Sequence, residues 1–278
     1  MSATVSSGWR AHLDLGFELR RVNGCSRTVL IRRRHRGPLM VQRPLYPEGA
    51  VCHSLLLHPP GGMVGGDSLE LDVSCGPGAQ ALLTTPGAAK CYRSAGAQVR
   101  VRQRLRVDHG GGLEWLPQEL IVYEGAVLEA ATRVDLARDA RFLGWEIVCL
   151  GRPAAGEGFA RGRFTQRFEI RRAGAPLLVE RLSVPGGDVL LEEPWGLGGS
   201  TVSAILIATP ADAALRDVVL SASGAEPGFS ATLLDDLLVS RYLGTRGDVA
   251  RACLEAAWGA IRKPLFGREA RRPRIWNT

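Results

Sequence analysis

Residues Leu55 to Arg93 read LLLHPPGGMVGGDSLELDVSCGPGAQALLTTPGAAKCYR, an order of loop, strand, turn, strand and loop that decides the fold class. His58, Pro59 and Pro60 end an apolar run, and Gly61, Gly62, Gly65 and Gly66 then permit backbone angles closed to other residues. From Leu69 the pattern alternates. Leu69, Leu71 and Val73 fall on one side and Glu70, Asp72 and Ser74 on the other, as a half-buried strand requires. Gly76-Pro77-Gly78 turns the chain into a second strand, Gln80 to Thr85, and the stretch closes on the polar cluster Lys90, Tyr92 and Arg93.

The same rhythm extends in both directions. Upstream, His12 to Arg20 alternates through Leu13, Leu15, Phe17 and Leu19, and Asn23-Gly24 predicts a two-residue hairpin because both positions tolerate positive φ. Downstream, Ala97 to Val107 sets Val99, Val101, Leu105 and Val107 against Arg100, Arg102, Arg104 and Arg106. Further strands are expected at Leu113–Leu116, Leu120–Tyr123, Val127–Leu136, Phe142–Leu150, Arg163–Arg171, Leu177–Val184 and Thr201–Ala208. The loop Gly151 to Gly158 is the best internal boundary, yet the same period resumes beyond it.

Only the last quarter reads as helical, over about residues 231–263. Leu233 to Leu243 is compact and apolar, and Val249, Cys253, Ala257 and Ile261 form a helical stripe joined by Leu254 and Trp258. Asp248 is the expected N-cap and Pro264 the expected stop. The tail, residues 264–278, ends in an apolar anchor, Ile275 and Trp276, that either packs on the body or docks to a partner.

Composition narrows the function. Six cysteines at 25, 52, 75, 91, 149 and 253 form no C-x-x-C pair, which fits reduced, partly buried thiols better than a zinc ribbon. No stretch approaches the ~20 apolar residues of a membrane helix, and the first twenty residues lack the continuous apolar core of a leader, so a cytoplasmic protein is expected. The net charge of +7 is concentrated near the ends: Arg20–Arg36 holds seven arginines and no acid, and Arg262–Arg274 holds six basic residues against Glu269. With two lysines beside 33 arginines and no nucleic-acid motif, the charge reads as composition bias and protein contacts rather than nucleic-acid binding.

No P-loop, dinucleotide fingerprint, nucleophile elbow or H-E-x-x-H motif is present. What remains are carboxylates of inward parity. Asp67 shares the face of Leu69 and Leu71, Glu180 that of Leu178 and Leu182, and Glu119 that of Ile121 and Tyr123. Such acids are costly unless paired with arginine, hydrated or facing a water-filled passage.

The ordered motifs HPPGGMVGGD, GPGAQALLTTPGAAK and YR resemble the UreD (UreH) family of urease accessory proteins. WLPQELIVYEGA at Trp115–Ala126, the turn and strand at Arg181–Gly187, RYLG at Arg241–Gly244 and PRIWNT at Pro273–Thr278 agree. Cys75 and Cys91 depart from the pattern. The resemblance implies one UreD-like domain over residues 1–278, mainly β, with short strands stacked in a β-helix-like, two-layer architecture and a small helical C-terminal part. It also implies a non-catalytic scaffold that binds apo-urease and UreF, with the GTPase UreG held through UreF in a two-fold symmetric assembly. No cofactor is expected to bind tightly; Ni²⁺ passes in transit during GTP-dependent assembly of the metal centre.

On that reading the candidate conduit residues are Asp67, Glu119 and Glu180, with His58 and Glu124 behind them. Sparse oxygen ligands release a metal more readily than a Cys/His cage does. Arg241, Tyr242, Trp258, Arg274, Ile275 and Trp276 are the candidate UreF-facing residues. Two other readings stay open: a β-rich hydrolase using paired acids among Asp67, Glu119 and Glu124, and a basic nucleic-acid-binding module.

Overall fold

The structure is a computed structural model that describes residues 8–277. Residues 1–7, at the start of the stretch read for a leader, and Thr278, the last residue of the tail motif, lie outside it. The expected mainly β, stacked architecture is present. An N-terminal hairpin pairs β1 (Arg10–Val22) with β2 (Cys25–Arg36) through the predicted turn, where Asn23 and Gly24 take φ of 51° and 79°. Two further strands follow, β3 (Met40–Val41) and β4 (Cys52–Leu57).

The chain then winds. β5 (Ser68–Cys75), β6 (Gln80–Thr84) and β7 (Ala89–Cys91) make one turn, and β8 (Val99–Val107), β9 (Gly112–Leu116) and β10 (Leu120–Val122) the next. β11 (Val127–Leu136) and β12 (Arg141–Leu150) begin a third, and β13 (Arg163–Arg172) opens a fourth that turns back through β14 (Ala175–Pro185). Successive turns pair in parallel, β5 with β8, β8 with β11 and β11 with β13, so the chain forms a solenoid. A seven-stranded sheet runs β14-β13-β11-β8-β5-β1-β2, facing a larger sheet that carries β6, β9 and β12. Strands from both sides of residues 151–158 share each sheet.

The stacking follows from side-chain parity. Parallel register aligns Leu15, Val73, Leu105, Val134 and Ile170 in one row across five strands, none more than 2% exposed. Each residue in such a row covers its neighbour from water, and full burial stabilises each side chain by about 1.5–3 kcal/mol. The adjacent outward row is Asp14, Asp72, Arg104, Arg133 and Glu169, charged throughout.

The C-terminal part corrects the sequence reading in four places. Leu233–Leu243 is a β-hairpin, β16 (Phe229–Leu234) and β17 (Leu237–Gly244), which joins the large sheet beside β15 (Val202–Thr209). Its apolar run belongs to a strand buried on both faces, which has no alternation to betray it. A helix not anticipated from the sequence, α1 (Ala213–Ala222), starts at Asp212, whose side chain accepts from the Leu215 amide at 2.8 Å. The long helix α2 (Gly247–Phe266) has Arg246 at the N-cap, with Asp248 inside the first turn. It runs through Pro264 and ends at Gly267, where φ of 69° turns the chain out of the helix. Pro264 is held because α2 packs its stripe of Ala250, Leu254, Ala257, Trp258 and Ile261 on the large sheet. No helix among the described residues is long and apolar enough to cross a membrane.

Candidate functional site

The signature stretch walls a cavity between the sheets. After β4 the chain turns at His58, with the Gly61 amide donating to His58 O at 3.1 Å, and then runs beside β7. Met63 N donates to Lys90 O at 2.7 Å and Tyr92 N to Met63 O at 2.9 Å. Gly62 is required here because a Cβ would sit 2.4 Å from the Tyr92 ring. That ring meets Tyr123 edge-on at 5.0 Å, and the Arg152 guanidinium stacks 4.3 Å above Tyr123.

The cavity behind this wall holds about 380 Å³. His58 and Lys90 line one part of it and Gln103, Gln118, Thr132, Glu146 and Gln166 another. A second cavity of about 320 Å³ is lined by Glu180, Arg181, Ser203, Arg241 and Tyr242, and Glu146 and Gln166 belong to its wall too. Glu146 and Gln166, the neck residues, thus line both spaces and stand between them. Burial holds the His58 pKa below the ordinary imidazole value, with the Asp67 charge opposing it.

The neck is polar. Gln166 Nε2 donates to Glu146 Oε2 at 2.6 Å, and Thr132 Oγ1 bonds both to Glu146 Oε1 and, at 2.6 Å, to Gln103 Oε1. Register places Gln103 beside Thr132, and across the sandwich Glu146 projects from β12 to meet them. Desolvation raises the Glu146 pKa, with the Thr132 and Gln166 hydrogen bonds opposing it.

A family model described as UreD urease accessory protein matches residues 10–277. The chain belongs to the UreD family. It is 51% identical over 274 residues to the urease accessory protein UreD of Azoarcus sp. (strain BH72), covering 98% of this chain and 95% of that one. It is 48% identical to the UreD of Alkalilimnicola ehrlichii, covering 100% and 94%, and 46% identical to that of Dechloromonas aromatica, covering 98% and 96%.

In this UreD-family chain, two of the five candidate conduit residues line the cavities, His58 in the first and Glu180 in the second. Glu180 is ion-paired there with Arg241. The other three lie elsewhere. Asp67, 4% exposed, is a backbone clamp whose two oxygens accept from the Trp9 and Val64 amides, each at 2.8 Å. Glu119 faces α2 and pairs with Arg251, whose Nε is 2.8 Å from Oε1. Glu124 accepts from Arg161 at 2.9 Å. Among the described residues no three His, Cys, Asp or Glu side chains converge as a metal cage would require.

Of the candidate UreF-facing residues, Tyr242, Trp258 and Trp276 are buried, Ile275 is half-buried and Arg274 is exposed. The tail packs on the body: Trp276 sits 5.7 Å from the Trp145 ring and 5.8 Å from Trp258, and its Nε1 donates to Thr84 Oγ1 at 2.8 Å.

The sequence reading missed Glu146, Gln103, Thr132 and Gln166. A signal for Gln103 and Thr132 was present, since each is the one polar residue on the inward parity of its strand, with Val101 and Leu105, or Ala130 and Val134, on either side. It missed as well the network beneath α2. Arg262, 0% exposed, donates from Nη2 to Glu48 at 2.7 Å and from Nε to Glu114 at 3.0 Å, while His53 Nε2 lies 2.6 Å from Glu48.

Proposed function

We propose that this chain is a non-catalytic factor in urease maturation, working in the cytoplasm as a scaffold between apo-urease and a UreF–UreG assembly, and that Ni²⁺ crosses it through the two joined cavities. Family membership supports the maturation role. The single observation that supports the route is that Glu146 and Gln166 line both spaces.

The lining suits transit. His58 in one cavity and Glu180 in the other offer single ligands, and the neck offers side-chain oxygens; each holds a hydrated Ni²⁺ less tightly than a cage of thiolates and imidazoles would. Glu180 is already compensated by Arg241, so cargo there competes with a guanidinium and is not trapped.

The test is urease co-expressed with its other accessory proteins, with and without this chain, scored for nickel content and activity. Apo-urease accumulating only when the chain is missing supports the role; equal loading in both refutes it. Replacing Glu180 by Ala while the complex still assembles is then expected to lower nickel loading severalfold. Unchanged loading would remove the second cavity from the route.

A further inference from the structure

The outer face of the seven-stranded sheet is built from four rows of side chains. The charged row through Asp72 and Arg104 is one of them, and on β2 it continues to Arg34. A second row runs Arg36, His12, Glu70, Arg102, Ala131, Arg167 and Arg181 across all seven strands. One flanking row adds Arg10, Arg100 and Glu129, and the other Arg32, Arg106, Asp135 and Arg171. Twelve arginines therefore stand against six carboxylates, a net charge of +6 on one face of a chain that carries +7.

Five of those acids already hold an arginine. Asp14 pairs with Arg32, Asp72 with Arg104, Glu129 with Arg100, Asp135 with Arg133, and Glu169 with both Arg167 and Arg171. Arg10, Arg34, Arg36, Arg102, Arg106 and Arg181 are exposed and form no ion pair among the described residues. Register also sets arginine directly against arginine, Arg104 beside Arg133 and Arg167 beside Arg181. Like charges so placed repel, and an opposite charge laid over them would relieve that cost. Both helices pack on the large sheet, so neither covers this face.

We propose that the open face of the seven-stranded sheet docks an acidic protein surface. The inference deepens the scaffold reading and rests on it for the partner, which is one of the proteins that the scaffold holds. Three features select a protein over a nucleic acid. The rows contain no aromatic side chain on which a base could stack. A flat sheet face does not enter a duplex groove. The interspersed carboxylates would repel a continuous phosphate backbone, whereas a protein surface can set acids against the arginines and leave gaps opposite Glu70 and its neighbours. Guanidinium forks suit carboxylates in bidentate pairs. Six gaps of about 4.8 Å between strands and three steps of two residues give about 29 Å by about 20 Å, or about 600 Å², approaching the roughly 800 Å² per partner of a standard interface.

The test removes charge at Arg34, Arg36 and Arg106, which border neither cavity. The full chain carrying Arg34→Gln, Arg36→Gln and Arg106→Gln is compared with the wild type and with a control of equal charge carrying Arg43→Gln, Arg138→Gln and Arg216→Gln. Binding is measured to apo-urease, to UreF–UreG and to poly-L-glutamate. The face variant is expected to melt with the wild type and to bind one of the two partners, and the polymer, about tenfold more weakly, with a flatter salt dependence; the control is expected to bind as the wild type does. A face variant that binds both partners like the wild type, or a control that loses as much, overturns the proposal. So does single-stranded RNA held by the wild type at about 0.15 M salt and released by the face variant, which would assign the face to nucleic acid. The two readings fail separately. A wild type that binds neither protein partner ends the scaffold reading, whereas partners held equally by wild type and face variant end only this one.

Discussion

Removing the charge of Glu48 is expected to loosen the end of α2 in a pH-dependent way. Its side chain is 5% exposed and lies between the Arg262 guanidinium and His53. Burial alone would raise its pKa, but the His53 and Arg262 hydrogen bonds and charges outweigh that and bring it down to about 2 from 4.5. A carboxylate whose folded pKa is depressed contributes stability above its unfolded pKa and loses it as pH falls through the folded value. Here the window runs from about 4.5 down to about 2. At about 1.4 kcal/mol per unit, the shift corresponds to about 3 kcal/mol at neutral pH, roughly half of it gone by about pH 3.3. Glu48→Gln keeps the shape and an acceptor for Arg262 while deleting the charge. Urea unfolding of both proteins is expected to give a stability difference of about 3 kcal/mol at pH 7 that narrows steadily below pH 4.5. A difference under about 1 kcal/mol at pH 7, or one that stays constant down to pH 3, would refute the assignment of Glu48 as a charge partner of the buried arginine beside Glu114.

Three further outcomes follow from the contacts described. Arg251→Ala leaves Glu119 half-buried without its guanidinium and is expected to cost about 3 kcal/mol in chemical denaturation, most of it recovered when Glu119→Gln is added; a double-variant loss equal to the sum of the two single losses would show that the pair is not coupled. Trp276→Ala removes a ring held between Trp145 and Trp258, and a loss of about 3–5 kcal/mol is expected, whereas a neutral result would mean that the tail is not part of the core. Burial pushes the Cys75, Cys91 and Cys149 thiols up to about 12, so brief iodoacetamide treatment of the native chain at pH 8 is expected to modify exposed Cys25 and spare these three, as read by peptide mass spectrometry.

The solenoid was legible because its strands have one wet face. Leu69, Leu71 and Val73, and Val99, Val101, Leu105 and Val107, announce strands by period alone, and Asn23-Gly24 announces its turn. The pattern fails where both faces are covered. Leu237, Leu238 and Val239 are buried in succession between β15 and β16, and such a run looks the same in a strand as in a helix. The neck was hidden for the same reason: Glu146 belongs to β12, where Phe142 to Trp145 are all buried and parity says nothing about direction. Asp67 and Glu119 illustrate a different limit. Their inward parity was readable, but the partners that satisfy them, the Trp9 amide 58 positions away and Arg251 132 positions away, become neighbours only in three dimensions.

The contact between Arg262 and Glu48 also sets an order of events during synthesis. These residues are 214 positions apart, and the arginine comes last. At about 5–20 residues per second, the ribosome delivers it about 10–40 s after the glutamate has emerged. Until it arrives, the sheet surface destined for α2, with Leu82, Leu116, Trp145 and Leu206 added in turn, has no cover. A nascent chain that stalls before α2 is made presents that apolar surface, with Glu48 and Glu114 lacking Arg262. Docking of α2, rather than winding of the coils, is the step that covers this apolar surface.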